Sequence, residues 1–346
     1  MGDSGNNTYG INKGQKMRIL VTGGTGFTGS HLVKHVIKSG NQAVVLDNQE
    51  GIAPEELKKL GAEITIGSVT DNATLSRVVE GCDAVYHLAA AFRKVNLPRS
   101  VYRDTNATAM RSLLSLCREK NVKKVVYCST QGVHGNIASL PQKPGDENSP
   151  IKPEDYYQET KYMGEQVAQE FIKEGMDITI LRPTALYGPG DPGRFLMLFK
   201  QVKKGWFPFF GSGQAYYHPV YVENFCDAFT LATKRIESKG QTYIIADNEY
   251  FHIKDIVQKI ADIMGVKCKM IHLPFYPMYM LSFMIAGIYK FLPAEPPLFP
   301  RRVDWYRQNR GFVIDKAKKE LTYEPRVGLD EGLKITYEWY LNNGYL

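Results

Sequence analysis

The chain of 346 residues has five cysteines, Cys82, Cys117, Cys128, Cys226 and Cys268, and no C-x-x-C pair among them. This scatter excludes a zinc framework and gives no disulfide framework, so no metal site is expected. It reads as a set of reduced, mostly buried thiols in a cytoplasmic protein. The chain also lacks a long Lys/Arg run, although its net charge is +7. Nucleic acid is therefore excluded as the expected partner, while an anionic cofactor or substrate, or a membrane surface, suits the mild positive balance. There is no internal repeat and no low-complexity tract beyond the first residues. Residues 1–16 are polar and Gly/Asn-rich without an apolar h-region, so they read as a flexible leader and not as a signal peptide.

With 43% hydrophobic residues, the chain has enough apolar material for one large α/β domain or a domain with a smaller lobe. Strand-like and helix-like stretches alternate through the first half. Strands are predicted over Met17–Val21, Ala43–Leu46, Glu63–Ile66, Ala84–His87, Lys124–Cys128 and Ile178–Leu181. Helices are predicted over Pro54–Leu60, Ala73–Val79, Val101–Lys120 and Tyr156–Glu174. This βαβ alternation predicts a doubly wound parallel sheet of the Rossmann type. After Arg182 the chain becomes dense in Pro, Gly and aromatic residues, and from Phe251 it reads as a smaller, mainly helical lobe. The expected division is a nucleotide-binding domain over 17–181, its sheet completed by about 220–246, and a substrate lobe over 182–219 and 247–346.

The first strand runs into Thr22-Gly23-Gly24-Thr25-Gly26-Phe27-Thr28-Gly29. A strand, a glycine turn and a helix start hold a pyrophosphate. Of Gly23, Gly26 and Gly29, one makes the tight turn, one admits the phosphates and one lets the helix pack closely. Phe27 and Thr28 open the helix whose N-terminus favours anions. Asp47, at the end of the second strand, suits the ribose hydroxyls of NAD and repels the extra phosphate of NADP. Asn48, not an arginine, follows it. The loop after the third strand, with Ser68 and Val69, and the small-residue run Leu88-Ala89-Ala90 after the fourth, are further expected cofactor contacts. Asp71 has two readings, an adenine contact or a helix cap.

Tyr157 and Lys161 lie four apart on one predicted helix face. A lysine cation beside a phenol lowers the phenol pKa and equips it as a general base. Ser129 and Thr130, after the fifth strand, supply a hydroxyl to orient a substrate oxygen.

In these motifs the chain resembles the extended short-chain dehydrogenases/reductases, the group holding the NAD-dependent epimerase/dehydratase and 3β-hydroxysteroid dehydrogenase families, over residues 17 to 340. The resemblance implies that Tyr157 is the acid/base, that Lys161 binds the nicotinamide ribose and tunes Tyr157, and that Thr130 is the matching hydroxyl of Ser129-Thr130-Gln131-Gly132-Val133-His134-Gly135. His134 stands where the group often has Tyr. Arg182–Pro189 resembles the loop that touches nicotinamide and substrate, which brings in Pro183 and Thr184. The resemblance also implies a homodimer, often through the two long helices.

Three departures bear on the reaction. Gln131 and Gly132 follow Thr130 where sugar dehydratases carry an Asp-Glu pair, so the acid for eliminating water is missing. Tyr217 occupies the position of a diphosphate-binding Arg in sugar epimerases, leaving Arg301 and Arg302 as either a phosphate grip or a solvated turn. Leu273–Tyr289 has no charged residue yet is shorter than the ~20 residues that span a bilayer. It reads as a buried helix, the lining of an apolar pocket, or a contact of residues 273–292 with a membrane interface. The resulting expectation is an NAD-dependent oxidoreductase acting between a secondary alcohol and its ketone, 3β-hydroxysteroid dehydrogenase-like. The alternatives are a UDP-sugar epimerase holding NAD and a non-catalytic NAD-binding scaffold.

Overall fold

The computed structural model describes residues 16–92, 97–289, 292 and 296–346. Most of the leader expected at the start of the chain lies outside them, as do parts of the 273–292 stretch. The first half winds through β1 (Arg18–Thr22), α1 (Phe27–Lys38), β2 (Gln42–Asp47), α2 (Pro54–Lys59), β3 (Glu63–Ile66), α3 (Asn72–Val79) and β4 (Ala84–His87). It continues through α4 (Arg99–Arg103), α5 (Ala109–Glu119), β5 (Lys124–Cys128), α6 (Tyr156–Lys173) and β6 (Ile178–Pro183). Then come β7 (Ala185–Tyr187), α7 (Arg194–Val202), β8 (Trp206–Phe210), β9 (Tyr216–Tyr217), β10 (Pro219–Tyr221), α8 (Val222–Lys234) and β11 (Thr242–Ile245). The last elements are β12 (Phe251–His252), α9 (Ile253–Met264), β13 (Lys269–Leu273), α10 (Phe275–Tyr289), α11 (Pro300–Asp304) and α12 (Leu329–Asn342).

The main sheet has seven parallel strands in the order β11-β6-β5-β4-β1-β2-β3. The order reverses at β1, which lies between β2 and β4, so the crevice at the carboxyl ends of β1 and β4 is the topological switch point where such sheets take ligands. Central strands such as Ala84–His87 are buried throughout, as a sheet covered on both faces requires. One core packs α1 and α8 on one face; the other packs α3, α5 and α6 on the opposite face. A third core, around Phe195, Phe199, Ile256 and Tyr340, belongs to the lobe. Phe312, Ile314, Ala317, Leu321 and Tyr323, although late in the chain, return to the first core beside Tyr243.

The helix expected as one piece over Val101–Lys120 is interrupted. Asp104–Thr108 forms a π-helical turn between α4 and α5. Such a turn adds one residue to the helix and marks a local demand that apolar periodicity does not reveal.

Candidate active site

The glycine turn joins β1 to α1 at the switch point. Gly23 has φ +72°, and a Cβ there would stand 2.9 Å from the Ala89 amide nitrogen. A Cβ on Gly29 would lie 1.9 Å from the Gly23 carbonyl oxygen, so α1 packs directly on the turn. Gly26 differs: a Cβ would meet only the Gly23 carbonyl, at 3.4 Å, which leaves its outer side open. Gly26 is also the N-cap of α1, and no side chain caps it. The first amides of α1, those of Phe27 and Thr28, are left for an external acceptor. Asp47 borders the turn, accepting from the Thr25 amide at 3.0 Å and the Asn48 amide at 2.8 Å. An open anion cradle beside a carboxylate at a strand end fits a dinucleotide.

Around this cradle the expected contacts take several roles. Thr22 Oγ1 accepts from the Ala89 amide at 3.2 Å, fixing the half-buried run Leu88, Ala89 and Ala90 against β1. Ser68 shares a 2.7 Å hydroxyl contact with Thr70, and the Val69 side chain sits in the core. Asp71 caps α3, accepting from the Ala73 amide at 3.0 Å and the Thr74 hydroxyl at 2.6 Å. Of its two readings, the cap is the one this geometry carries.

Tyr157 and Lys161 sit on one face of α6, whose N-cap Asp155 accepts from the Gln158 amide. The Lys161 side chain is only 2% exposed. Its Nζ donates to the Cys128 carbonyl at 2.7 Å and lies 4.4 Å from the centre of the Tyr127 ring. Burial pulls its pKa down to about 8, against the neighbouring Cys128 and Glu165, which raise it. Tyr157 is half-buried and packs edge-on against Phe92 at 5.1 Å. Thr130, two residues beyond Cys128, caps the following turn, its Oγ1 accepting from the Gly132 amide at 3.0 Å. His87 stacks on Tyr127 with ring centres 5.6 Å apart, and burial and the Lys161 cation push its pKa down to about 3, so this histidine is neutral.

Ser129 takes a different direction from its neighbour Thr130. It is buried, and its hydroxyl donates to Glu165 at 2.5 Å. Glu165 receives Arg182 through two bonds, at 2.9 and 2.6 Å, and Arg182 reaches His134 Nε2 at 3.0 Å. Alternate residues after a strand point to opposite sides, which is why Ser129 joins this internal network instead of the space near Thr130. The sequence reading missed Glu165 as a partner, although it lies one helical turn beyond Lys161. It also missed Asn106. That residue is buried in the π-helical turn, accepts from the Ala91 amide at 2.8 Å and donates to Thr160 Oγ1 at 3.0 Å, tying the loop after β4 to α6. A polar Asn on the inner side of an amphipathic helix was the available signal.

A cavity of about 210 Å³ opens next to Gln158, bordered by Asp155, Arg194, Tyr279, Arg301 and Arg310. Arg301 faces it, 3.9 Å from Asp155, whereas Arg302 turns away to donate to the Pro297 carbonyl. Both guanidinium groups nevertheless lie near the Phe299 ring, at 5.5 and 5.0 Å from its centre. Arg194 supplies a cation that the sequence reading did not foresee; it lies 4.3 Å over the Trp305 ring. Pro183 ends β6, and Thr184 is buried with its amide on the Ile245 carbonyl at 3.0 Å.

Residues 19–246 match the model of the NAD dependent epimerase/dehydratase family. A 3beta-hydroxysteroid-dehydrogenase/decarboxylase (isoform 2) of Arabidopsis thaliana is 28% identical, over 92% of this chain and 61% of that protein. The chain thus spans about three fifths of the length of this relative. An N-acetyl-alpha-D-glucosaminyl-diphospho-ditrans,octacis-undecaprenol 4-epimerase of Escherichia coli O157:H7 is 29% identical over 76% of this chain and 77% of that one. Among solved structures, a UDP-glucose 4-epimerase of Thermotoga maritima, with UDP-glucose, superposes with a TM-score of 0.77 at 26% identity, covering 94% and 99% of the two chains. The chain belongs to the NAD dependent epimerase/dehydratase family, within the extended short-chain dehydrogenases/reductases, and its cofactor is NAD.

Proposed function

We propose that this family member oxidises a secondary alcohol, or reduces the matching ketone, on a largely apolar substrate of the hydroxysteroid type. The observation that carries the reading is the buried Lys161 ammonium on the face of α6 that bears Tyr157, bonded to the Cys128 carbonyl two residues before Thr130. Gly23, Gly26, Phe27, Thr28, Gly29, Asp47 and Asn48 would hold the cofactor at its phosphates and ribose, with Leu88, Ala89, Ala90 and Pro183 lining its path. When bound, NAD supplies the hydride acceptor. Thr130 donates a hydrogen bond that orients the substrate oxygen. Tyr157 takes the hydroxyl proton as the carbon–hydrogen bond breaks, and gives it back in the reverse direction. Lys161 holds positive charge beside the Tyr157 phenolate that accepts this proton, which makes that phenolate available at lower pH.

The relatives that support an apolar substrate carry hydroxysteroid names, and the charge-free α10 contributes Tyr279 to the cavity wall. A second reading, epimerisation of a nucleotide sugar, is favoured by Arg194, Arg301 and Arg310 around the same cavity. The two differ in stoichiometry. A dehydrogenase accumulates NADH with a hydroxysteroid and none with UDP-sugars; an epimerase returns its hydride and accumulates none. Tyr157→Phe is expected to lower kcat by about 10²–10⁴-fold while NAD still binds. Undiminished turnover in that variant would remove Tyr157 from the chemistry.

A further inference from the structure

We propose that α10 is a membrane-docking helix that seats the protein on an anionic lipid surface and brings a membrane-resident substrate to the cavity. The proposal rests on the apolar-substrate reading above and extends it to the source of that substrate.

Phe275–Tyr289 contains no charged residue. Tyr276, Met280, Phe283, Met284 and Ile288 are each more than half exposed. Their spacing, i, i+4, i+7, i+8 and i+12, places them on one face of the helix. A continuous apolar stripe facing water marks an interaction site, because solvation favours covering it. The opposite side faces the protein: Ser282 is buried, and Tyr279 lines the cavity beside Gln158. One helix therefore offers an apolar face to the outside and a wall to the cavity beside Gln158.

The surroundings of the stripe point to lipid as its cover. Arg307 is half-exposed and lies 5.2 Å from the Phe275 ring and 5.5 Å from the Tyr279 ring, at the start of α10. α11, which packs against α10, carries Arg301 and Arg302. Within this collar Asp304 pairs with Arg307, and Asp155 lies 3.9 Å from Arg301. An uncharged stripe with arginines at its start and on the adjoining helix complements a bilayer with anionic headgroups. Tyrosines at the helix start suit the headgroup level. Fifteen helical residues extend about 22 Å, short of the ~30 Å hydrocarbon core, so α10 lies in the interface and does not cross it. Among the described residues no helix is long and apolar enough to cross a membrane. Pairing with a second copy through this stripe is disfavoured, because two-fold symmetry would bring the same arginine collar of each copy towards the other.

The test uses the full chain and its F283S/M284S variant, in which neither changed residue belongs to the cavity or the cofactor cradle. Flotation with phosphatidylcholine vesicles containing phosphatidylserine is expected to carry the parent protein, less so at high salt. Partition of the variant should fall at least tenfold while NAD binding and the melting temperature hold. Turnover of a vesicle-embedded hydroxysteroid should fall by a similar factor in the variant, and turnover of the same compound carried by cyclodextrin should not. Equal flotation of parent and variant, no flotation of the parent, or loss of a lipid-free dimer in the variant would each overturn docking through α10. The flotation arm needs no turnover, so an inactive hydroxysteroid panel would count against the proposed reaction and leave lipid docking to be judged separately.

Discussion

Lys161 illustrates how one position combines chemistry with a stability cost. Its ammonium is buried with a carbonyl and an aromatic face as partners, and burial lowers its pKa to about 8 from 10.5. The unfolded chain then binds this proton more tightly than the folded chain. Stability rises with pH across the window from about 8 to 10.5, and below it the cost of burying the charge is present in full. The expected outcome is that the stability of the parent protein relative to Lys161→Met climbs between pH 7 and pH 10, measured by urea unfolding. A difference that stays flat or falls over that interval would contradict the buried, charge-penalised lysine. The same substitution should abolish turnover, since it removes the cation that lowers the cost of deprotonating Tyr157.

At the scale of elements, the Glu165–Arg182 pair holds α6 to β6, and Ser129 attaches the end of β5 to the same carboxylate. This triangle fixes the distance from Thr130, on the β5 side, to Tyr157 on α6. Removing one buried partner leaves the other charge uncompensated, which costs about 3–5 kcal/mol. Glu165→Leu and Arg182→Met are each expected to destabilise by roughly that amount, while the double variant costs less than either alone. Additive losses in the unfolding midpoints of the three variants would mean that the pair does not act as a unit. The π-helical turn at Asp104–Thr108 does comparable work: it carries Asn106, which links the loop after β4 to α6.

At the scale of the whole molecule, the chain crosses between lobe and sheet more than once. It leaves the sheet after β6, returns for β11, and returns again when Phe312–Tyr323 pack on the first core. Such interleaving couples the parts. Thermal unfolding is expected to show a single transition, and NAD at about 100 times its Kd should add ~2.7 kcal/mol to the whole of it. Two separate transitions in calorimetry, with only one moved by NAD, would show that the lobe unfolds independently.

Local physics carries much of this protein. The alternation of β-branched strands with amphipathic helices places six of the seven sheet strands, with α2, α3 and α6, within a residue or two of where they stand, because a parallel sheet buried on both faces imposes unbroken apolar runs. The glycine turn was legible for the same kind of reason: only glycine tolerates a positive φ at Gly23 and the close approach at Gly29. Tyr157 and Lys161 share a face by helical spacing alone. What spacing along the chain does not reach is contact between remote segments. Ser129 and Thr130 look equivalent in the sequence, yet the strand's alternation sends one to Glu165 and leaves the other at the turn. Arg301 and Arg302 look alike in the sequence, yet only Arg301 borders the cavity, where it is joined by Arg310 and by Arg194, the latter more than a hundred residues earlier. The exposure of α10 belongs to the same category. A charge-free stretch is equally consistent with a buried helix until its neighbours are known, and only packing against one side left the other to the solvent.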